Sequence, residues 1–360
     1  MPEYYFNLPP FDDLSPSQQA AVLDDNAIAL SGGPGTGKSV VSLWRHILNH
    51  QRENPIRSQL LTFTTSLALY LKKCCRTQNA DASNYVDSSK NWVFNHATNR
   101  AEVIHDEAQD LQLAFNSGIR RHSNKISYGA DNGQLITANS KNADGSYNLN
   151  VCSPEDNLRV EFPNNSLHTL TRNYRNTRRI MKFAKKVFLG AAISQEIIDS
   201  CTTEGEYPRL LISGNDNEKI NQTVIQLVTD FAVNETINIG ILVPFENPNQ
   251  FASQTSTAQY YYDLLINNEI DCTMYTNVMG GIQAIKNIHV TTFKSAKGLE
   301  FDVVIIPDFN LVNTAFRVID WRDFYVGVTR SKSNLFLISR ADFPNLPSEG
   351  INKVIDKVIL

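Results

Sequence analysis

Gly32 through Ser39 read GGPGTGKS and fit the pattern G-x-x-x-x-G-K-[ST]. Such a run can wrap the phosphates of a nucleotide. Its glycines let successive backbone N–H groups turn inward, and a helix N-terminus behind them adds a positive dipole. The binding set would be Gly32, Gly33, Pro34, Gly35, Thr36, Gly37, Lys38 and Ser39. Lys38 would neutralise phosphate charge, and Ser39 would ligate Mg²⁺. Further along, IHDEAQD places Asp106 beside Glu107. Asp106 could hold the Mg²⁺ through a water, and Glu107 could orient and deprotonate an attacking water. That pair points to hydrolysis rather than transfer to an acceptor.

For these groups to meet, the loop must join a strand to a helix, and the acids must leave a strand at the same edge. Ala27–Leu30 (AIAL) is a short apolar run entering the loop, and SVVSLWRHILNH beyond it has helical periodicity. QLLTFTT predicts a second strand, followed by the helical SLALYLKKCC. AEVIHDE and KISYGAD predict a third and a fourth. Strands alternating with helices predict a parallel, doubly wound α/β sheet. His105, at a strand end, reads as a packed residue without a role. The second half repeats the style. PRLLIS, INIGILVPF, CTMYT, IHVTTF, FDVVIIPDF and NLFLISR read as strands; NTRRIMKFAKKVFL, NEKINQTVIQLVTDFAV and AQYYYDLLINNEI read as helices. EFPNNSLHTL interrupts the pattern with Pro and Asn, which sets domains at 1–165 and 166–360. The Asn/Ser-rich stretch 138–166 reads as a surface connection.

The chain of 360 residues suits two domains, each with its own core. Lys and Arg number 33 against 37 Asp and Glu, a net charge of -4. This balance argues against non-specific coating of nucleic acid, which needs many cation–phosphate contacts; a narrow basic groove is still compatible with it. Cys74, Cys75, Cys152, Cys201 and Cys272 show no metal-ligand spacing and fit reduced thiols. MPEYYFNLPPFDDL has no basic n-region and no apolar h-region, and runs such as VVIIP are too short to span a bilayer. The expectation is a soluble cytoplasmic protein with no membrane association.

Between residues 14 and 332 occur, in order, LSPSQQAAVL, GGPGTGKS, LLTFTTSLA, DEAQD, ADNGQ, NYRNT, TTFKSAKGLEFDVV and FYVGVTRSK. They resemble the Q motif and motifs I, Ia, II, III, IV, V and VI of UvrD/Rep-type superfamily-one DNA helicases. SAKGLEF and YVGVTR together are the specific part. The resemblance implies two tandem RecA-like P-loop domains with parallel sheets and an ATP cleft between them. It implies ATP and Mg²⁺ as cofactors, and ATP hydrolysis coupled to 3′ to 5′ movement on single-stranded DNA, with RNA also open. Gln18 would read adenine, although Ser15-Pro16-Ser17-Gln18 is also a helix capping box with Pro at N1. Tyr174 would stack on adenine or be an ordinary core aromatic. Gln134 would sense the γ-phosphate. Arg175 and Arg330 would reach it as arginine fingers rather than make surface ion pairs. Gly298 and Glu300 would touch the ribose and the γ-phosphate edge, and Lys297 is either functional or a solvated lysine. Phe63, Thr64 and Lys294 would contact nucleic acid, Phe63 by stacking on a base.

The chain departs from that family in several places. Only about 37 residues separate Ser66 from Val103, short for an inserted domain. The link NVMGGIQAIKN leaves no room for a second insertion. ADNGQLITANS lacks the aromatics that follow motif III, and each lost base stack is worth about 1–3 kcal/mol. Lys294 replaces a histidine, Val40 stands where an arginine often follows the loop, and Ala130 replaces a glycine. Lys72, Lys73 and Arg76 line a groove or form a solvated helix face. A second reading is therefore open: a helicase-like ATPase subunit that signals to a partner such as a nuclease, in DNA repair or phage defence, with weak or no unwinding.

Overall fold

The computed structural model describes all residues except 1–2, 5–7, 136, 138–139, 143, 145, 190–192, 248–255, 277–278, 280–283, 312–320 and 343–349. Parts of the run after motif III, of the 138–166 stretch and of the link NVMGGIQAIKN thus lie outside the described residues. The chain forms two compact units. One is continuous, Phe6–Asn173; the other combines Met1–Tyr5 with Tyr174–Leu360. We call them the loop unit and the split unit. The boundary expected after residue 165 falls at Asn173 instead, because Ser166–Leu170 is a strand paired along the strand that feeds the phosphate loop.

The loop unit is built on six strands: β1 (Ile28–Gly32), β2 (Ser58–Thr62), β3 (Val86–Ser88), β4 (Glu102–His105), β5 (Ile126–Ala130) and β6 (Ser166–Leu170). Their order is β3-β2-β4-β5-β1-β6, and every pairing is parallel. β2, β4 and β5 are buried along their whole length, as central strands of a sheet covered on both faces must be. Ala29, Leu61, Val103, Ile126 and Tyr128 pack with Trp92 and Leu158 in one core. A polar network ties the Lys38–Gln51 helix to β4. Glu102 accepts from Arg45 Nε (2.7 Å), Asn49 Nδ2 (2.8 Å) and Ser127 Oγ (2.5 Å). Arg45 spends its other N–H groups on the carbonyls of Ala21, Val22, Asp24 and Asn26.

The split unit has seven strands: β7 (Arg209–Ile212), β8 (Ile239–Val243), β9 (Thr273–Tyr275), β10 (Ile288–Thr292), β11 (Phe301–Ile306), β12 (Ser331–Ser339) and β13 (Asp356–Ile359). Their order is β13-β7-β12-β11-β8-β10-β9, again all parallel. Helices Asn217–Ala232 and Ala258–Asn267 start on side-chain caps from Asp216 and Thr257. They bury Ile220, Val224, Val228, Tyr261 and Leu265 against Ile239, Ile241, Val290 and Ile305. The expected α/β class with two parallel sheets is what the chain adopts. All five cysteines are free and buried. Among the described residues no helix is long and apolar enough to cross a membrane.

Candidate nucleotide site

Strand order brings the loop and the acids together. β1, β5 and β4 are consecutive neighbours, and their C-terminal ends run into the glycine loop, Asp131–Gln134 and Asp106–Glu107. From β1 the chain passes over β5 and β4 to reach β2. Open α/β sheets bind ligands at the C-terminal strand ends where the order breaks in this way. The register sharpens the placement. Leu30 pairs with Gly129, and His105 pairs with Tyr128, so Asp106 comes level with Gly129. A Cβ on residue 129 would lie 3.1 Å from Asp106 Oδ1 and 3.8 Å from Lys38 Cβ. Glycine there lets the acid and the lysine approach one point.

Gly37 caps the Lys38–Gln51 helix at φ 88°, a left-handed conformation that glycine adopts without steric cost. Lys38 Nζ donates to the carbonyls of Gly32 (2.6 Å) and Gly33 (3.1 Å), so it lies along the inside of the loop. It is also 3.6 Å from Asp131 Oδ2, and Gln134 Nε2 donates to that same oxygen (2.5 Å). Asp131 therefore links Lys38 to Gln134. It lies inside ADNGQ, yet the sequence reading passed over it, because only the fold shows which cation it faces. Glu155 was missed too. Its Oε2 accepts from Ser31 Oγ (2.7 Å) and its Oε1 from Asn132 N (3.2 Å), which ties the Asn132–Gln134 turn to the end of β1.

Gln18 completes the expected capping box: Ser15 N donates to its Oε1 (3.0 Å), and its own N–H donates to Ser15 Oγ (3.3 Å). Its Nε2 donates to Thr36 O (3.1 Å), so the helix cap also braces the phosphate loop.

Asp106 is fully buried, and among the described residues neither carboxylate oxygen has a hydrogen-bond partner. Burial, and after it the charge of Glu107, push its pKa upward; the Ser39 hydroxyl and the Lys38 ammonium act against that. Ser39 thus lies near enough to favour the anion but outside hydrogen-bonding geometry. Glu107 sits at φ 58°, a left-handed conformation that costs a non-glycine residue about 1–3 kcal/mol. The Gln109 amide donates to its carboxylate. A buried acid lacking partners beside a hydroxyl is an oxygen-donor set suited to a hard divalent cation. The loop, Lys38, Ser39 and Asp106 therefore fit a Mg²⁺–nucleotide. His105, as expected, is packed: it meets Ser89 Oγ (2.8 Å), and burial pulls its pKa down to about 4.

Phe63 and Thr64 follow β2 at the same edge. Phe63 is half-buried. Thr64 is buried, and its hydroxyl accepts from Leu67 N (3.2 Å) and Ser66 Oγ (3.2 Å), capping the Thr65–Gln78 helix.

The split unit gathers Arg175, Glu300 and Arg330. Arg175 Nε donates to Glu300 Oε2 (2.7 Å). Glu300 immediately precedes β11 and Arg330 immediately precedes β12, paired Phe301 to Ser331, and Phe301 N donates to Arg330 O (2.9 Å). Arg330 is buried, its Nε donating to Val326 O (3.0 Å), so it is no surface ion pair. Asn176, which the sequence reading passed over, donates from Nδ2 to the carbonyls of Thr329 (3.0 Å) and Ser331 (2.6 Å), on either side of Arg330. Tyr174 is 40 % exposed and is not a core aromatic. Lys297 is 1 % exposed, which removes the solvated-lysine alternative. Gly298 has φ 84°. Lys294 follows the C-terminal end of β10, whereas Glu300 precedes the parallel β11; the two lie toward opposite ends of the sheet.

Residues 252–342 match the family model described as the UvrD-like helicase C-terminal domain. That segment contains both TTFKSAKGLEFDVV and FYVGVTRSK, so the match supports the UvrD-type resemblance of this part of the chain. No curated protein matches the chain. Among solved structures, the C-terminal domain of a possible DNA helicase from Lactobacillus WCFS1 is 18 % identical, with 51 % of this chain and 98 % of that one covered and a TM-score of 0.37. The Arterivirus nonstructural protein 10 helicase is 12 % identical, with 94 % and 63 % covered and a TM-score of 0.45. The PRRSV helicase is 14 % identical, with 93 % and 57 % covered and a TM-score of 0.44. The chain thus spans less than two thirds of either viral helicase chain.

Proposed function

We propose that this chain is an ATP-hydrolysing motor of the UvrD/Rep helicase type, working 3′ to 5′ on single-stranded DNA. The observation that carries the reading is the group at the ends of β1, β5 and β4: Lys38 and Gln134 joined through Asp131, with Asp106 and Glu107 beside them. Ser39 and Asp106 would hold Mg²⁺, which when bound neutralises charge building on the β- and γ-phosphates. Lys38 would exchange loop carbonyls for phosphate oxygens. Because Lys38 and Gln134 share one Asp131 oxygen, a change of partner at Lys38 alters the environment of Gln134. Glu107 would take the proton of the attacking water. Gln18 and Tyr174 are assigned to adenine, Glu300 and Gly298 to the ribose and γ-phosphate edge, and Arg175 and Arg330 to transition-state charge, where such arginines contribute about 10³–10⁵-fold. Phe63, Thr64 and Lys294 are assigned to the strand.

The test is ATP turnover with and without single-stranded DNA, with Glu107→Gln alongside. DNA-stimulated turnover that disappears in the variant is the expected result. Turnover that survives in Glu107→Gln overturns the chemistry. The second reading, a regulatory ATPase subunit acting on a partner such as a nuclease, is favoured by the net charge of -4 and by the lack of aromatics in ADNGQLITANS. Turnover indifferent to DNA and RNA would select it.

A further inference from the structure

Glu3 and Tyr4 belong to the split unit although the 168 residues Phe6–Asn173, which separate them from the rest of it, do not. Glu3 forms an antiparallel bridge to Lys286, and Tyr4 N donates to Ile285 O (2.8 Å). The Tyr4 ring meets Phe301 edge-on, with centroids 5.7 Å apart and planes at 87°. Phe301 is itself closely seated, since a Cβ on Gly240 would lie 2.6 Å from its ring. The Tyr4 phenol, 1 % exposed, then engages both backbone polar groups of Glu300: the hydroxyl donates to Glu300 O and accepts from Glu300 N (3.1 Å). Burial, and after it the charge of Glu300, raise the phenol's pKa well above its ordinary value, so it stays protonated as a donor.

Glu300 is thereby held at three points. Tyr4 takes its backbone, Arg175 takes its carboxylate, and Arg330 O takes the N–H of the residue that follows. We infer that Tyr4 is a positioning residue that sets Glu300 for nucleotide binding, an assignment that rests on the reading of Glu300 proposed above. Removing the hydroxyl takes from the partly buried Glu300 N–H and C=O the partner that holds them, and frees Glu300 to shift.

The experiment compares wild type, Tyr4→Phe, Glu300→Gln and the double variant. KM and kcat for ATP, the affinity for a fluorescent ATP analogue, and the thermal midpoint are all measured on the full chain. Tyr4→Phe keeps the ring packing and loses only the hydroxyl. The expected result is a rise of roughly five- to tenfold in KM and in analogue Kd, with kcat within about twofold, as loss of one partly buried hydrogen-bond pair predicts. In the Glu300→Gln background Tyr4→Phe should add little, because it acts through Glu300. Unchanged KM and Kd in Tyr4→Phe, or effects that simply add to those of Glu300→Gln, overturn the inference while leaving the ATPase reading intact. So does a fall in kcat that only tracks a lowered thermal midpoint. A wild-type chain that neither binds the analogue nor hydrolyses ATP overturns the ATPase reading, and the Tyr4 assignment with it.

Discussion

Gly129→Ala tests how closely the acid and the lysine approach one another. The new Cβ would stand 3.1 Å from Asp106 Oδ1, where ordinary contact begins at 3.4 Å. The carboxylate must therefore retreat by about 0.3 Å, and it can do so, because no hydrogen bond to a described residue holds it. Overpacking a strand costs stability, but alanine is favoured over glycine there by roughly 0.5–1 kcal/mol, so the net change should stay within about 1 kcal/mol. Turnover should be less forgiving. A misplacement of 1 Å can cost about 10²-fold, so a few tenths of an ångström predicts roughly three- to tenfold. The half-saturating Mg²⁺ concentration should rise as well, since Asp106 is the residue proposed to hold the ion through a water. Steady-state ATP turnover across a Mg²⁺ titration, beside urea unfolding, measures both. Gly129→Val should lose far more, because its methyl groups reach toward the Cβ atoms of Lys38 at 3.8 Å and Leu30 at 3.9 Å. An alanine variant with wild-type turnover and Mg²⁺ response would refute the placement of Asp106 beside the loop. One that unfolds would refute the claim that the carboxylate gives way.

Two further outcomes concern stability. Glu102→Ala leaves the Arg45 guanidinium buried without its counter-charge, and should destabilise the loop unit by about 3–5 kcal/mol in denaturant unfolding; a loss under 1 kcal/mol would show that the four carbonyl partners of Arg45 suffice. His46 and His289 are buried, and burial pulls the pKa of each down to about 3. Unfolding restores a value near 6.5, so the unfolded chain takes up protons that the folded chain refuses, and stability is lost as pH falls from about 6.5 toward 3. Each should contribute a loss of about 1.4 kcal/mol by pH 5.5, one in each unit, and unfolding curves that coincide at pH 7.5 and 5.5 would contradict this.

Much of this molecule is legible in its sequence, for identifiable reasons. The central strands carry short apolar runs such as Leu60–Leu61, Val103–Ile104, Ile241–Val243 and Val303–Ile306, and the glycine loop has a pattern that backbone geometry demands. The strands left unpredicted are all edges. β3 is only three residues long, β6 alternates in exposure and follows a Pro-Asn-Asn turn, and all four residues of β13 are exposed, so none carries the signature of a long apolar strand. The misplaced boundary follows from missing β6. Lys38, Asp106 and Glu107 could be found because their chemistry is local to a motif. Asp131, Glu155 and Asn176 could not, because each acts through a partner that only the fold supplies: Lys38 for the first, Ser31 for the second, the carbonyls around Arg330 for the third. The capping box of Gln18 could be read from Ser15-Pro16-Ser17-Gln18, whereas its brace on the loop, through Nε2 to Thr36 O, depends on a partner 18 residues away.

The weaving of the chain has a consequence for its birth on the ribosome. Tyr4 is made well before its partner Glu300, which lies 296 positions later. At about 5–20 residues per second, roughly 15–60 s separate them, ample time for the continuous loop unit to fold first. During that interval the Tyr4 ring has no Phe301 to pack against. Completion of the split unit therefore waits on recapture of the Glu3–Tyr4 segment, and severing the polypeptide after Asn173 would separate Tyr4 from the sheet it helps to finish.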